Sequence, residues 1–129
     1  MTHQQFKDWL DQLVYVWTNK QPKKAPDLCA DNFFWHETPF GAPYTTKRDL
    51  LKSWQSVKSQ KNISVSYKIL CVEGNIGIAN WAATFIILHS GEKKVMDGIY
   101  QVSLDEKGKC IEFHQWFNFK NTSSCRAES

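Results

Sequence analysis

Three short stretches of this sequence hold side chains able to move protons. His36 and Glu37 sit side by side, directly before Thr38-Pro39-Phe40-Gly41. Asp97 precedes Gly98, and Tyr100 follows shortly after. His114 neighbours Gln115 within an aromatic run. A carboxylate or imidazole in apolar surroundings acquires a shifted pKa, which suits it to general acid–base work near neutral pH. A tyrosine hydroxyl is a hydrogen-bond donor. Glu37 is the candidate base, with His36, Tyr100 and Asp97 as the other candidate catalytic groups. Each also has a plainer reading. His36 among aromatic neighbours reads as a packed, hydrogen-bonded ring. Glu37 reads as a brace for the proline loop. Asp97 reads as a side chain fixing a bulge at Gly98, and His114 as a residue facing a subunit interface.

Other chemistries find less support. His36, Asp97 and His114 do not have ligand spacing, so no metal site is expected, and no cofactor motif is present. Cys29, Cys71, Cys110 and Cys125 include no C-x-x-C pair. Cys71 and Cys110 fall in strand-like apolar runs and are expected in the core. Cys125 lies in a polar tail and is expected as an exposed thiol. The net charge is +3, and the basic residues are scattered, as at Lys23-Lys24, Lys47-Arg48 and Lys93-Lys94. Nucleic-acid binders concentrate such charge on one face, so no nucleic-acid partner is expected. No run of about 18 apolar residues marks a membrane span. The first residues lack a basic-then-apolar leader, so a cytoplasmic protein with reduced thiols is expected.

The elements that must position these groups follow from periodicity. Phe6, Leu10, Leu13 and Trp17 recur at helical spacing, which predicts a helix over about 3–19, widened by Trp9, Val14 and Val16. Tyr15 lies opposite that stripe. A short helix is expected near 26–31, with Pro26 at its start. Residues 33–37 read as a strand, followed by a loop through Pro39, Gly41 and Pro43. Thr46-Lys47-Arg48-Asp49 reads as a capping box opening a helix over about 47–59. Its apolar face is Leu50, Leu51, Trp54 and Val57. Four strands follow, at about 62–73, 76–89, 94–104 and 110–119, joined by turn signals at Glu73-Gly74-Asn75, His89–Glu92 and Asp105–Gly108. Early helices and late strands predict an α+β domain over 1–120, with a polar tail over 121–129.

The chain of 129 residues carries six Trp, eight Phe and four Tyr. Their positions point to one space between helices and sheet. Trp17, Phe34, Trp54, Trp81, Phe113 and Phe117, with Gln115, are the candidate ligand-binding residues. The same rings are numerous enough to plug that space completely. Gly77, Ala79, Ala82 and Ala83 on one strand leave room, although small residues equally allow tight helix docking.

Three stretches together resemble a SnoaL-like member of the nuclear transport factor 2-like superfamily. They are Trp35-His36-Glu37-Thr38-Pro39-Phe40-Gly41 with Lys47–Leu51, then Ala79–Phe85, then Met96-Asp97-Gly98-Ile99-Tyr100 with Asp105–Phe117. The resemblance implies a curled, mixed or antiparallel sheet closed by N-terminal helices, a cone-shaped (cystatin-like) α+β barrel. It also implies a homodimer through the outer sheet face. Enzymes of this superfamily carry out proton transfers on apolar substrates. Ketosteroid isomerases place an aspartate base directly before the loop proline; here that position is Thr38. Their helix tyrosine corresponds roughly to Val14, with Tyr15 beside it, and their protonated aspartate corresponds to Tyr100. The polyketide cyclases' acidic base falls near Gln115, beside His114. The epoxide hydrolases' arginine-bridged aspartate pair is not matched, because Arg48 and Arg126 are the only arginines and neither lies on an expected strand.

These readings predict a pocket for a small apolar molecule, with acid–base chemistry of the isomerase, cyclase or dehydratase kind. The alternative is a ligand-binding or dimerisation module without catalysis. An adaptor for nucleic acid or protein trafficking rests on fold analogy alone.

Overall fold

The structure is a computed structural model that describes residues 1–123. Helix α1 (His3–Thr18) opens the chain, followed by a 3₁₀ helix (Pro22–Leu28) and strand β1 (Cys29–His36). Helix α2 (Lys47–Trp54) continues as a second 3₁₀ helix (Gln55–Ser59). Strands β2 (Gln60–Glu73), β3 (Ile76–Ile87), β4 (Glu92–Leu104) and β5 (Cys110–Ser123) complete one curled, unclosed sheet of order β1-β5-β4-β3-β2. β1 runs parallel to β5; every other pairing is antiparallel.

Helix α1 forms because its N-terminus is closed from both sides. The Thr2 hydroxyl accepts from the Gln5 backbone N–H at 3.1 Å, and the Gln5 side chain accepts from the Thr2 N–H at 2.8 Å. This capping box was not recognised in the sequence. The predicted stripe Phe6, Leu10, Leu13 and Trp17 is buried, while Tyr15 is exposed. Two long-range bonds then fasten the helix. The Trp9 indole donates to the Leu28 carbonyl at 2.9 Å, and the Tyr67 hydroxyl on β2 donates to Asp11. Thr46 caps α2 by accepting from the Asp49 N–H at 3.2 Å.

Several boundaries depart from the sequence reading. The short helix begins at Pro22 rather than Pro26, because Pro22 supplies the fixed φ of a first helical position. β1 starts at Cys29, which pairs with Cys110 of β5. A register irregularity between Cys29 and Phe34 hides that early start from any alternation pattern. Cys110 is buried as expected, but Cys71 is exposed. A register shift between Ile69 and Cys71 puts Leu70 and Cys71 outward in succession. β5 runs to Ser123, which pairs with Glu92, so residues 121–123 are strand rather than tail. Cys125 lies outside the described residues. No helix among the described residues is long and apolar enough to cross a membrane.

Sheet curvature depends on close approach at Gly98. A β-carbon there would meet the Trp116 carbonyl oxygen at 2.1 Å and the Phe117 β-carbon at 2.8 Å. These neighbours are a paired strand and cannot give way locally. Gly98→Ala is therefore expected to destabilise the fold by about 1–3 kcal/mol, read from the urea unfolding midpoint. Gly108→Ala meets no atom within 4 Å, but its φ of 80° makes a backbone-strain control. An unchanged midpoint for Gly98→Ala contradicts the packing argument.

Candidate functional site

The inner face of the sheet is set by alternation along each strand. On β1, Phe33 and Trp35 point inward and Phe34 and His36 outward. Glu37 continues that alternation and returns to the inner side, where it lines a cavity of about 400 Å³. The loop after β1 is folded back against it. Trp35 and Tyr44 exchange backbone hydrogen bonds at 3.0 and 2.9 Å, and the Thr38 hydroxyl accepts from the Gly41 N–H at 3.1 Å. Thr38 itself is exposed. The one-residue offset from the isomerase pattern therefore needs no bulge, because Glu37, not Thr38, has the inward parity.

Around Glu37 the cavity end is built from β5, β4 and α2. Gln115 donates from Nε2 to the Glu37 carbonyl at 3.1 Å and to its Oε2 at 3.4 Å. Gln115 is paired in register with Tyr100. Tyr100 is buried and stacks on Trp81 with ring centroids 4.9 Å apart. Burial pushes the Glu37 carboxyl up from its ordinary value. Nearby donors on Trp35, Gln115 and Ser53 oppose that shift without cancelling it. The Trp35 indole N–H is close enough to act on the carboxylate electrostatically, yet makes no hydrogen bond of ordinary geometry. Burial also raises the Tyr100 hydroxyl, and the Glu37 charge adds to the shift. Tyr100 thus stays a protonated donor near a carboxyl whose pKa burial has raised.

Aromatic rings wall this space rather than fill it. Trp35 stacks on Phe113 at 3.7 Å and 11°, closing one end. Trp17, Trp54 and Trp81 enclose the middle, with Trp17 and Trp54 edge to face at 82°. Trp17 is held in place by donating to the buried Gln60 side chain at 2.8 Å. Of the expected lining residues, Trp17, Trp54, Trp81, Phe113 and Gln115 face the cavity. Phe34 does not; it is 53% exposed on the outer face. Phe117 packs on Trp81 beside the cavity without lining it. Trp35, Met96 and Lys94 were missed, although each shares parity with a residue that was chosen: Trp35 with Glu37, and the other two with Tyr100.

The other proton-transfer candidates lie outside the cone. His36 and His114 stack in parallel on the outer face, with centroids 4.3 Å apart. His114 also contacts Glu112 at 2.6 Å and stacks on Trp116. Burial and the neighbouring His114 lower the His36 pKa. Asp97 accepts from the Asn80 side chain at 3.1 Å and is exposed. Alternation puts 36, 97 and 114 on the opposite face from 37, 100 and 115, so these three cannot assist Glu37 inside the cavity. No group of three His, Cys, Asp or Glu among the described residues can hold a metal.

No protein-family model matches the sequence, and no curated protein matches it. Solved structures do share its architecture. RV0760c from Mycobacterium tuberculosis superposes with a TM-score of 0.80 at 9% identity, over 95% of this chain and 99% of that one. SalBIII, an epoxide hydrolase/cyclase-like enzyme in pyran ring formation in polyether salinomycin, gives 0.76 at 9% identity, over 89% and 92%. An M. tuberculosis epoxide hydrolase described as LEH-like gives 0.63 at 12% identity, over 86% and 80%. The chain shares the α+β fold of these structures, a curled sheet packed by helices. At such identities the likeness is one of fold, and the chemistry of the cone follows from its own lining residues.

The raised Glu37 pKa fixes the sign of a stability effect. A carboxyl whose pKa is higher in the fold than in the unfolded chain favours folding while protonated. That contribution is complete below the unfolded value near 4.5 and disappears as pH rises through the folded value. Glu37→Gln, uncharged throughout, is expected to melt above the wild type at pH 8 and to differ little at pH 4. A lower Tm for Glu37→Gln at pH 8 removes the burial argument.

Proposed function

We propose that this protein binds a small apolar molecule in the aromatic-walled cone and catalyses proton transfer on it with Glu37 as the base. Support comes chiefly from one observation: a carboxyl with a raised pKa at the walled end of a 400 Å³ cavity, beside a tyrosine that stays protonated. A substrate carbon acid activated by an adjacent carbonyl would give its proton to Glu37. The Tyr100 hydroxyl would donate to the carbonyl oxygen as negative charge builds there. Gln115 holds the Glu37 side chain and carbonyl and so orients the carboxylate. Delivery of the proton back to another atom of the same molecule gives isomerisation. Loss of a leaving group instead gives dehydration, and attack of the carbanion on a second carbonyl gives ring closure.

The test begins with thermal stabilisation across apolar ketones and enones, since a ligand that binds only the folded state raises Tm. Ligands found this way are incubated in D₂O, and exchange of their acidic C–H is followed by mass spectrometry. Wild-type protein is expected to catalyse exchange, and Glu37→Gln to lose about 10²–10⁴ of the rate while still binding. Tyr100→Phe is expected to lose about 10²–10³ in rate, the cost of one oxyanion donor. Ligands that bind without exchange in the wild type leave a binding module and refute the catalytic role.

A second copy of the chain is the proposed partner on the outer sheet face. Phe34 and Trp116 are 53% and 41% exposed there, flanking the stacked His36 and His114 rings. Exposed aromatic residues grouped in this way are typical of subunit contacts. Sedimentation should give a dimer for the wild type and a monomer for Trp116→Lys. A monomeric wild type at micromolar concentration rejects this partner.

A further inference from the structure

The cavity has a second pole. From Tyr100, the inward residues of β4 run back through Gly98 and Met96 to Lys94, six positions away, or roughly 20 Å of strand. Lys94 and His89 both line the cavity at that end, as do Gln60 and Ile87, which pair with each other. Other lysines stand on the same strand ends, but among the described residues Lys94 is the one that lines the cavity. Lys58 and Lys61 flank the start of β2, Lys93 and Lys94 start β4, and Lys120 pairs with Val95 near the end of β5. Glu92 is the one carboxylate on the same strand ends among the described residues. None of these lysines forms an ion pair among the described residues. Lys94 lies with its ammonium 4.4 Å from the Phe119 ring centroid, a contact that orients the charge and leaves its donors unused.

The two ends therefore select opposite charges. Glu37 disfavours an anion at the walled end, while Lys94 at the mouth attracts one and raises its local concentration. We infer that the ligand is an acid: an elongated apolar ring system whose carboxylate remains at the mouth against Lys94, with its uncharged end at Glu37. This inference rests on the cavity being a ligand site, as proposed above, and adds the chemical class and direction of the ligand. An anionic group at one end fixes which carbon reaches Glu37, something an apolar wall alone does poorly.

A matched pair of probes tests it: 1-pyrenebutyrate and its uncharged methyl ester, with binding read by energy transfer from the cavity tryptophans to pyrene. Wild-type protein is expected to bind the acid about tenfold more tightly than the ester in low salt, the scale of one charge-assisted contact. That preference should shrink in 0.5 M salt. Lys94→Met should bind both probes with the affinity of the ester, and Lys94→Glu should favour the ester. Equal affinity for acid and ester in the wild type overturns the inference and leaves the cavity as a ligand site. An acid preference that survives in Lys94→Met, or a loss of both probes in that variant, also overturns it, because Lys94 then acts elsewhere or only through packing. Failure of both probes to bind the wild type removes the cavity reading and this inference together.

Discussion

Trp35 and Phe113 lie face to face, 3.7 Å apart, where β1 runs parallel to β5. This contact fixes the parity of both strands. Once Trp35 and Phe113 face inward, Glu37 and Gln115 must follow them, and His36 and His114 must turn outward. The division of the polar residues into an inner set and an outer set is thus one consequence of a single stacked pair. A slip of β1 by one residue would send Glu37 to solvent and bring the His36 imidazole into the cone. Burial of Trp35 and Phe113, with 1% exposure each, makes such a slip costly.

The cone stays open for related reasons. Ala79 and Ala83 lie on the inner side of β3, while Gly98 brings β4 and β5 too close for a side chain to project between them. Trp81 and Phe85 alternate with Ala79 and Ala83 along that face, so large rings stand beside small side chains. Trp81 stacks on Tyr100, and Trp17 is fastened to Gln60, so the rings are held by each other and by one buried hydrogen bond. The indole rings of Trp35, Trp54 and Trp81 all line the cavity.

Much of the fold was legible because its signals are local. The α1 stripe from Phe6 to Trp17, the Thr46 cap and the turn residues between the long strands each act within a few positions. The aromatic clustering around one space was legible for the same reason, since the rings fall on elements whose order is readable. What could not be read was parity and register. Phe34 and Phe113 look alike as aromatic strand residues, yet one lies outside the cone and the other inside. Leu70 and Cys71 both point outward because of a register shift that no residue type announces. The place of Lys94 at the mouth was also hidden, since its inward parity is set by the pairing of β4 with β3 and β5.

The position of Glu37 shows why family motifs transfer poorly to this chain. The isomerase pattern puts its acid directly before the loop proline, at the residue that is Thr38 here. In this structure Thr38 already belongs to the loop, where its hydroxyl accepts from the Gly41 N–H. Glu37 is the last residue to keep the alternation of β1, because the Trp35–Tyr44 backbone pair holds the loop against the strand. Gln115, at the place where cyclases carry their acid, then becomes a donor to Glu37. A carboxylate at both positions would set two like charges within hydrogen-bond reach in a buried space, which strongly disfavours ionisation of the second. Gln115 is therefore the residue type that a base at Glu37 requires opposite it.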